Sequence, residues 1–351
     1  MTMTAAPGGR DAFLLDAEIH RRELLAHCYS MVGSLQEAED LVQETYLRAW
    51  RSWEAFEGRS SVRTWLYRIA TNVCLTALRG SRGRVLPSGL GTPGEDPDAP
   101  IPAGAGEVRW LDPFPDAVGG DPADVVADRA RVRLALVASL QHLPPRQRAV
   151  LILREALGYR AAEIADMLGM SVVAVKSALQ RARARLDEVA PDEDLLVEPD
   201  SPAARAVLDR YISAFERADV AAMTDLLRAD ASLELVGSTT WFQGKRNCLA
   251  HLIGHALTVP GRYRMIPTIA CGQPAALSYR RENARSPYRP FGVVVLATDG
   301  RQVYRVTNFT DPALFARFGL GDDPDDLPAA RTSAGPGPEL RASSAAGQPN
   351  R

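Results

Sequence analysis

The chain has 351 residues, 46% of them hydrophobic, and its 41 basic and 43 acidic side chains leave a formal net charge of -2. That length accommodates two or three compact domains, and the hydrophobic content is enough to give each a core. No stretch approaches eighteen uncharged apolar residues, and the start MTMTAAPGGRDAF lacks the basic end and apolar centre of a signal peptide. A cytoplasmic protein with no membrane partner is expected. Cys28, Cys74, Cys248 and Cys271 form no CxxC pair, which argues against a disulfide framework or a zinc ribbon.

The near-zero charge conceals segregation along the chain. Six arginines and no acid lie between Arg59 and Arg84, nine acids against Arg109 alone between Glu95 and Asp128, and seven acids without a base between Asp187 and Asp200. Coulomb attraction to phosphate is screened within about 10 Å, so a local basic segment can bind nucleic acid in a chain of no net charge.

Taken in chain order, residues 12–84 predict an all-helical domain. Leu24, Leu25, Cys28, Met31 and Val32 recur at helical spacing, as do Val42, Tyr46, Ala49 and Trp53, and Ser34 before Glu37 has the form of a capping box. The pattern breaks around Gly58 and resumes from Val62 to Leu78. Residues 85–127, dense in Pro, Gly and Asp, are expected to be a flexible linker. Within it Trp110, Leu111, Pro113, Phe114 and Pro115 form an apolar cluster that is costly to leave in water, so it predicts a docking segment. Residues 128–190 predict a second helical domain, broken at Pro144-Pro145. In it Ala165, Gly169 and the apolar Ile164, Leu168, Met170 and Val175 fit a helix-turn-helix, with Ser171 capping the second helix.

From residue 203 to 320 the pattern becomes α+β. A helix is expected over Ala204–Leu227, and strands over Ser232–Val236, Ala275–Arg281, Gly292–Thr298 and Gln302–Phe309, with a hairpin at Asp299-Gly300. The tail, 321–351, is Pro, Gly, Ala and Ser rich and is expected to be disordered.

The segment Asp40-Leu41-Val42-Gln43-Glu44-Thr45-Tyr46-Leu47-Arg48-Ala49-Trp50, followed by Arg63-Thr64-Trp65-Leu66-Tyr67-Arg68-Ile69-Ala70-Thr71-Asn72, resembles region 2 of the extracytoplasmic-function sigma factors. Leu143-Pro144-Pro145-Arg146-Gln147-Arg148 and the helix-turn-helix resemble region 4. The resemblance implies a transcription initiation factor, not an enzyme, that needs no cofactor and partners core RNA polymerase, through its β′ clamp helices and β flap, and promoter DNA. It assigns Asp40, Gln43, Glu44 and Arg48 to the polymerase. Arg59, Ser60, Arg63, Arg68, Asn72 and Arg79 fall to the minus-ten DNA, with Trp65 and Tyr67 supporting their helix and Asn72 receiving a flipped base. Ser171, Lys176, Ser177, Gln180, Arg181 and Arg183 fall to the minus-thirty-five DNA, where Gln suits adenine and Lys or Arg suits guanine or phosphate. Ala178 departs from the common pattern, which has Arg there, so one DNA contact is expected to be missing.

The C-terminal part resembles the SnoaL-like branch of the nuclear-transport-factor-2-like fold, and Trp110–Asp116 resembles the Trp-Leu-x-Pro motif found in the linker of sigma factors so extended. The expected fold is therefore two all-α sigma domains plus an α+β cone. The resemblance implies that the cone, with a small-molecule ligand left open, regulates the sigma factor in cis. An alternative is a SnoaL-like enzyme or ligand sensor fused to a helix-turn-helix regulator. Cys248, His251 and His255 lie near one helix face but lack a fourth metal ligand, so core or pocket-lining roles are favoured. Glu234, Tyr279 and Asn308 offer polar groups on strands without an Asp and His couple for catalysis.

Overall fold

The computed structural model describes residues 17–102, 108–116, 132–189, 197–319, 321 and 324. The N-terminal domain is built on three helices, α1 (Arg21–Val32), α2 (Leu35–Ser52) and α3 (Val62–Ala77). Ser34 caps α2, its Oγ accepting from the Glu37 N–H at 3.4 Å. The reciprocal half of the box is not made, because the Glu37 carboxylate turns to Arg84 and Arg109 instead. Trp53, Phe56 and Trp65 stack where α2 gives way to α3, with centroids 4.8–5.8 Å apart.

The second helical domain comprises α4 (Leu134–Leu140), α5 (Pro145–Leu151) running into a π turn over Ile152–Ala156, α6 (Ala161–Leu168) and α7 (Val172–Val189). Gly169 sits at φ 62°, a left-handed turn open to glycine without a Cβ penalty, and the Met170 N–H returns to the Ala165 carbonyl at 2.9 Å. Ser171 then caps α7 through the Ala174 N–H at 3.1 Å.

In the C-terminal domain the expected single helix over Ala204–Leu227 is two, α8 (Pro202–Glu216) and α9 (Val220–Leu226), parted at Ala218 with φ 51°. Six strands follow, with α10 (Lys245–His255) between the second and third and a short α11 (Leu314–Arg317) after the last. They are β1 (Leu227–Val236), β2 (Trp241–Gln243), β3 (Tyr263–Ala270), β4 (Gln273–Arg280), β5 (Arg289–Thr298) and β6 (Val303–Phe309), ordered β2-β1-β6-β5-β4-β3. All pairs are antiparallel except β1 with β6. β2 and β3 were not expected; β3 carries Pro267, which an edge strand accommodates.

The sheet is buried on both faces. Successive strand residues point to opposite sides; Ala276, Val294, Leu296 and Val306 join α8, α9 and α10 in one core. Ala275, Leu277, Tyr279, Val293 and Val295 belong to a second core shared with both helical domains. The uninterrupted run Val293-Val294-Val295-Leu296 is the consequence of this double burial.

The segment expected to be a flexible linker is packed over its described residues. Val85 pairs with Trp110 as a parallel bridge, Pro115 pairs with Ala270, and Leu86, Leu111 and Phe114 are buried. Residues 103–107 and 117–131, and the expected tail apart from 321 and 324, lie outside the described residues.

Candidate functional site

On α2, Asp40, Gln43, Leu47 and Arg48 are exposed and Glu44 is half-buried, along one face at spacings of three and four. Arg48 donates to Glu44 at 2.6 Å, pre-setting both side chains. Leu47, 51% exposed in the middle of this polar face, was not among the expected contacts. Its signal was available: a large apolar residue off the core stripe of an amphipathic helix.

Along α3 and the residues before it, Arg59, Ser60, Arg68, Asn72 and Arg79 are exposed. Arg63 differs. It grips Glu23 of α1 with Nε at 2.8 Å and a terminal nitrogen at 2.7 Å and lies over the Tyr67 ring, so it fastens α1 to α3. Tyr67 is buried and Trp65 half-buried beneath the helix. Asn72 already has two partners in this arrangement: its amide donates to the Arg68 carbonyl of its own helix at 2.8 Å and to the Met167 carbonyl of α6 at 3.2 Å. Arg68 stands 3.8 Å from Asp166 of the same helix, and the rings of Tyr67 and Tyr159 meet edge to face. Arg68, Asn72 and Tyr67 of α3 thus touch the second helical domain, although the Arg68 and Asp166 side chains stay 53% and 82% exposed.

On α7, Lys176, Gln180, Arg181 and Arg183 are exposed, with Ser171 at the cap and Ser177 half-buried. Arg183 pairs with Glu155 of its own domain. Ala178 is only 3% exposed, so it packs inward, and a DNA contact at that position is excluded by the helix face rather than by the loss of an arginine. Val173, 74% exposed at the start of α7, had not been expected; an apolar group there can meet a thymine methyl.

The cluster Trp110–Asp116 lies between the N-terminal and C-terminal domains instead of on the C-terminal domain alone. The Asp112 N–H donates to the Gly33 carbonyl, its carboxylate accepts from the Leu35 N–H, and Tyr29 donates to its carbonyl at 2.6 Å. Gly33, at φ 70°, leaves room for Leu111, whose Cδ1 lies 2.7 Å from where a Cβ would be. On the other side Cys271 donates its N–H to the Phe114 carbonyl at 2.7 Å, and Asp116 N–H donates to Ile269, so 114–116 extends the edge of β3. Trp110 is half-buried, Pro113 and Phe114 are buried, and Pro115 is half-buried.

Arg84 and Arg109 both reach Glu37, at 2.8 and 2.6 Å. Burial works against ionisation of Glu37, but the two guanidiniums outweigh it and hold its carboxyl below the ordinary range. A depressed folded value stabilises the fold above the unfolded carboxylate value near 4.3 and loses that contribution as pH falls through the folded value. Glu37→Gln should therefore unfold at lower denaturant than the parent at pH 6, with the gap closing as the pH falls through the depressed folded value. An undiminished gap at low pH would rule out the ion pairs as its source.

Cys248 is buried and donates to the Ala231 and Phe242 carbonyls, while His251 and His255 stack 4.5 Å apart and both face the Pro97 carbonyl. Among the described residues no group of three or more metal-binding side chains gathers. Nor is any described helix long and apolar enough to cross a membrane.

Comparison with known proteins gives these surfaces a context. The family model for sigma-70 region 2 matches residues 17–84 and that for sigma-70 region 4 matches residues 133–186. The chain is 50% identical over 318 residues to the ECF RNA polymerase sigma factor SigG of Mycobacterium tuberculosis (strain ATCC 25618 / H37Rv), covering 89% of this chain and 85% of that one. The chain belongs to the extracytoplasmic-function sigma factors. This sigma factor is also 29% identical over 183 residues to the ECF RNA polymerase sigma factor SigW of Bacillus subtilis (strain 168), a match to 51% of this chain and 89% of SigW. In SigG the likeness runs through the C-terminal domain, whereas in SigW it covers about the length of the two helical domains. The crystal structure of the Mycobacterium tuberculosis sigma factor SigJ shares the fold, with a TM-score of 0.59 at 20% identity, over 88% of this chain and all of that one. As a sigma factor the chain binds core RNA polymerase and directs promoter recognition. Two all-α sigma domains and an α+β C-terminal domain are as the sequence implied.

Proposed function

We propose that the arrangement described is a self-restrained form of the sigma factor, in which its own domains keep it from the promoter until polymerase opens it. The contact of Asn72 and Arg68 with Met167 and Asp166 carries this reading. Elements centred near minus ten and minus thirty-five are separated by roughly 80 Å of duplex at about 3.4 Å per base pair. Helices that touch face to face cannot reach both. Asp166→Arg puts like charge beside Arg68 while leaving Asn72 intact, and should raise run-off transcription with core polymerase about three- to fivefold. Unchanged output from the variant, at equal binding to core, sinks the proposal.

In the open form, Asp40, Gln43, Glu44 and Arg48 form a polar rim around Leu47 on the face assigned to polymerase, an apolar anchor within a wet interface. Reversing Asp40 and Glu44 together should weaken core binding by at least about 1 kcal/mol, and Leu47→Asp should do so without any change of rim charge on those two residues. Core competition by both variants at parental strength would refute the assignment. Arg59, Ser60, Arg68, Asn72 and Arg79 serve the melted strand, with Arg63 fixing their helix. Lys176, Gln180 and Arg181, joined by Val173, serve the upstream element, with Arg183 and Ser177 nearer the domain's own structure.

The C-terminal domain acts in cis as a scaffold for the closed form. Glu234 is 1% exposed and accepts from the Ser88 N–H, Tyr279 donates to Gly321, and only Asn308 of the three lines the domain's cavity. Glu234, Tyr279 and Asn308 therefore do not meet at one reacting atom.

A further inference from the structure

The cone of the C-terminal domain encloses a cavity of about 470 Å³ walled by Phe215, Tyr263, Phe291, Val294 and Leu233. That volume lies in the range of small-molecule sites, which are mainly apolar with a few placed polar groups. Asn308 is such a group. Its Oδ1 is buried and has no hydrogen-bond partner among the described residues, a costly state that a donor on a ligand would relieve. Among the described residues, the walls hold no acid. Burial keeps the His251 imidazole below its usual range, and Arg280, exposed at the rim, lies with its guanidinium 4.4 Å from the Phe291 ring centroid.

The linker is part of this wall. Ile101 and Pro102 line the cavity, with Ile101 still 42% exposed. The chain leading to them is tied to the domain: Gly94 N–H donates to the Trp241 carbonyl at 2.7 Å, Trp241 Nε1 donates to the Gly91 carbonyl at 3.0 Å, and the Pro97 carbonyl lies 3.1 Å from His251 Nδ1. A molecule filling the cavity touches both the sheet and the linker. It therefore binds the linker-docked form better than the released one, and a ligand shifts an equilibrium by its differential affinity.

We propose that this cavity binds a neutral, mainly apolar small molecule bearing a hydrogen-bond donor for Asn308, and that such a ligand fastens the linker to the C-terminal domain. The second half deepens the cis regulation proposed above and rests on it only where transcription is concerned. The test uses the full chain without polymerase, so its failure is separate from failure of the closed-form reading. The probe is 2-naphthol, a neutral bicyclic phenol, measured by equilibrium dialysis, with hydrogen exchange at residues 91–102 followed alongside. Saturable one-to-one binding is expected, weakened about fivefold by Asn308→Leu, which removes one hydrogen bond worth about 1 kcal/mol. Ile101→Gly should weaken it too, and bound probe should slow exchange at Gly94 severalfold. Val294→Trp, which fills the cavity, should abolish binding, and Asn308→Leu gives the answer if that variant does not fold. Absence of saturable binding, or binding indifferent to Asn308→Leu, overturns the site. Tighter binding of 2-naphthoate than of 2-naphthol overturns the neutral class in favour of an anion held by Arg280, and unchanged exchange at Gly94 overturns the linker coupling.

Discussion

Replacing Arg148 with alanine should lower the stability of the chain by about 1–3 kcal/mol, the cost of leaving buried acceptors unsatisfied. The side chain is only 2% exposed, and no carboxylate of the described residues faces it. Burial pushes its guanidinium down to about 10, which still leaves it charged at neutral pH. It donates to Gln141 Oε1 at 2.8 Å, to the Gln141 and Leu143 carbonyls at 3.1 Å, and to the Met31 carbonyl at the end of α1. Truncation strands these acceptors out of water and leaves a void where the stem lay. Because Met31 belongs to the N-terminal domain, the same change also loosens the second helical domain from the first. Denaturant unfolding provides the check, and a loss below about 1 kcal/mol would mean that water replaces the guanidinium freely. Arg148→Lys should recover only part of the loss, since one ammonium cannot serve four acceptors spread around a planar fork.

Leu111→Ala combined with Phe114→Ala should release the closed form and raise run-off transcription at least tenfold. Leu111 is fully buried and Phe114 is 5% exposed, both between the N-terminal and C-terminal domains. Truncations of this kind cost about 2–5 kcal/mol each in a rigid core. Only part of that bears on opening, yet about 1.4 kcal/mol already changes a population ratio tenfold. Trp110, half-buried, should contribute less than either. The variant pair is assayed with core polymerase beside a protease test of linker accessibility. Greater cleavage of the linker with no gain in transcript would separate linker docking from restraint and defeat the prediction.

The helical domains were legible because amphipathic period and caps act locally: Ser34, Gly169 and Ser171 mark breaks that the structure contains. Polarity was legible too, but its direction was not always. Arg63 reads as a phosphate contact and is held by Glu23, forty positions earlier, and Ala178 reads as a lost arginine although its face of α7 points inward. In both cases tertiary packing decides which neighbour a side chain meets. The same holds for residues 85–102, where Pro and Gly signal an irregular path and say nothing of whether that path is docked. β3 escaped because Pro267 and the polar residues of an edge strand blur its alternation. Asn72 is another case: the resemblance assigns it a base, and only the three-dimensional approach of α6 reveals its second partner, Met167, beside the Arg68 carbonyl of its own helix.

The contact between α3 and the second helical domain includes modest interactions, an amide to a carbonyl and an exposed ion pair with α6 and a ring edge with Tyr159 just before it. Between separate molecules, a bond of that strength would need millimolar partner to form, since a dissociation constant of about 1 mM corresponds to only about 4 kcal/mol. Joined in one chain, each domain meets the other at an effective concentration of that order. The proposed restraint is therefore intramolecular, set by the chain and not by its concentration. In the proposed closed form, a cell that makes more of this protein raises restrained and restraining parts in equal number, so the open fraction does not depend on expression level and the brake cannot be titrated away.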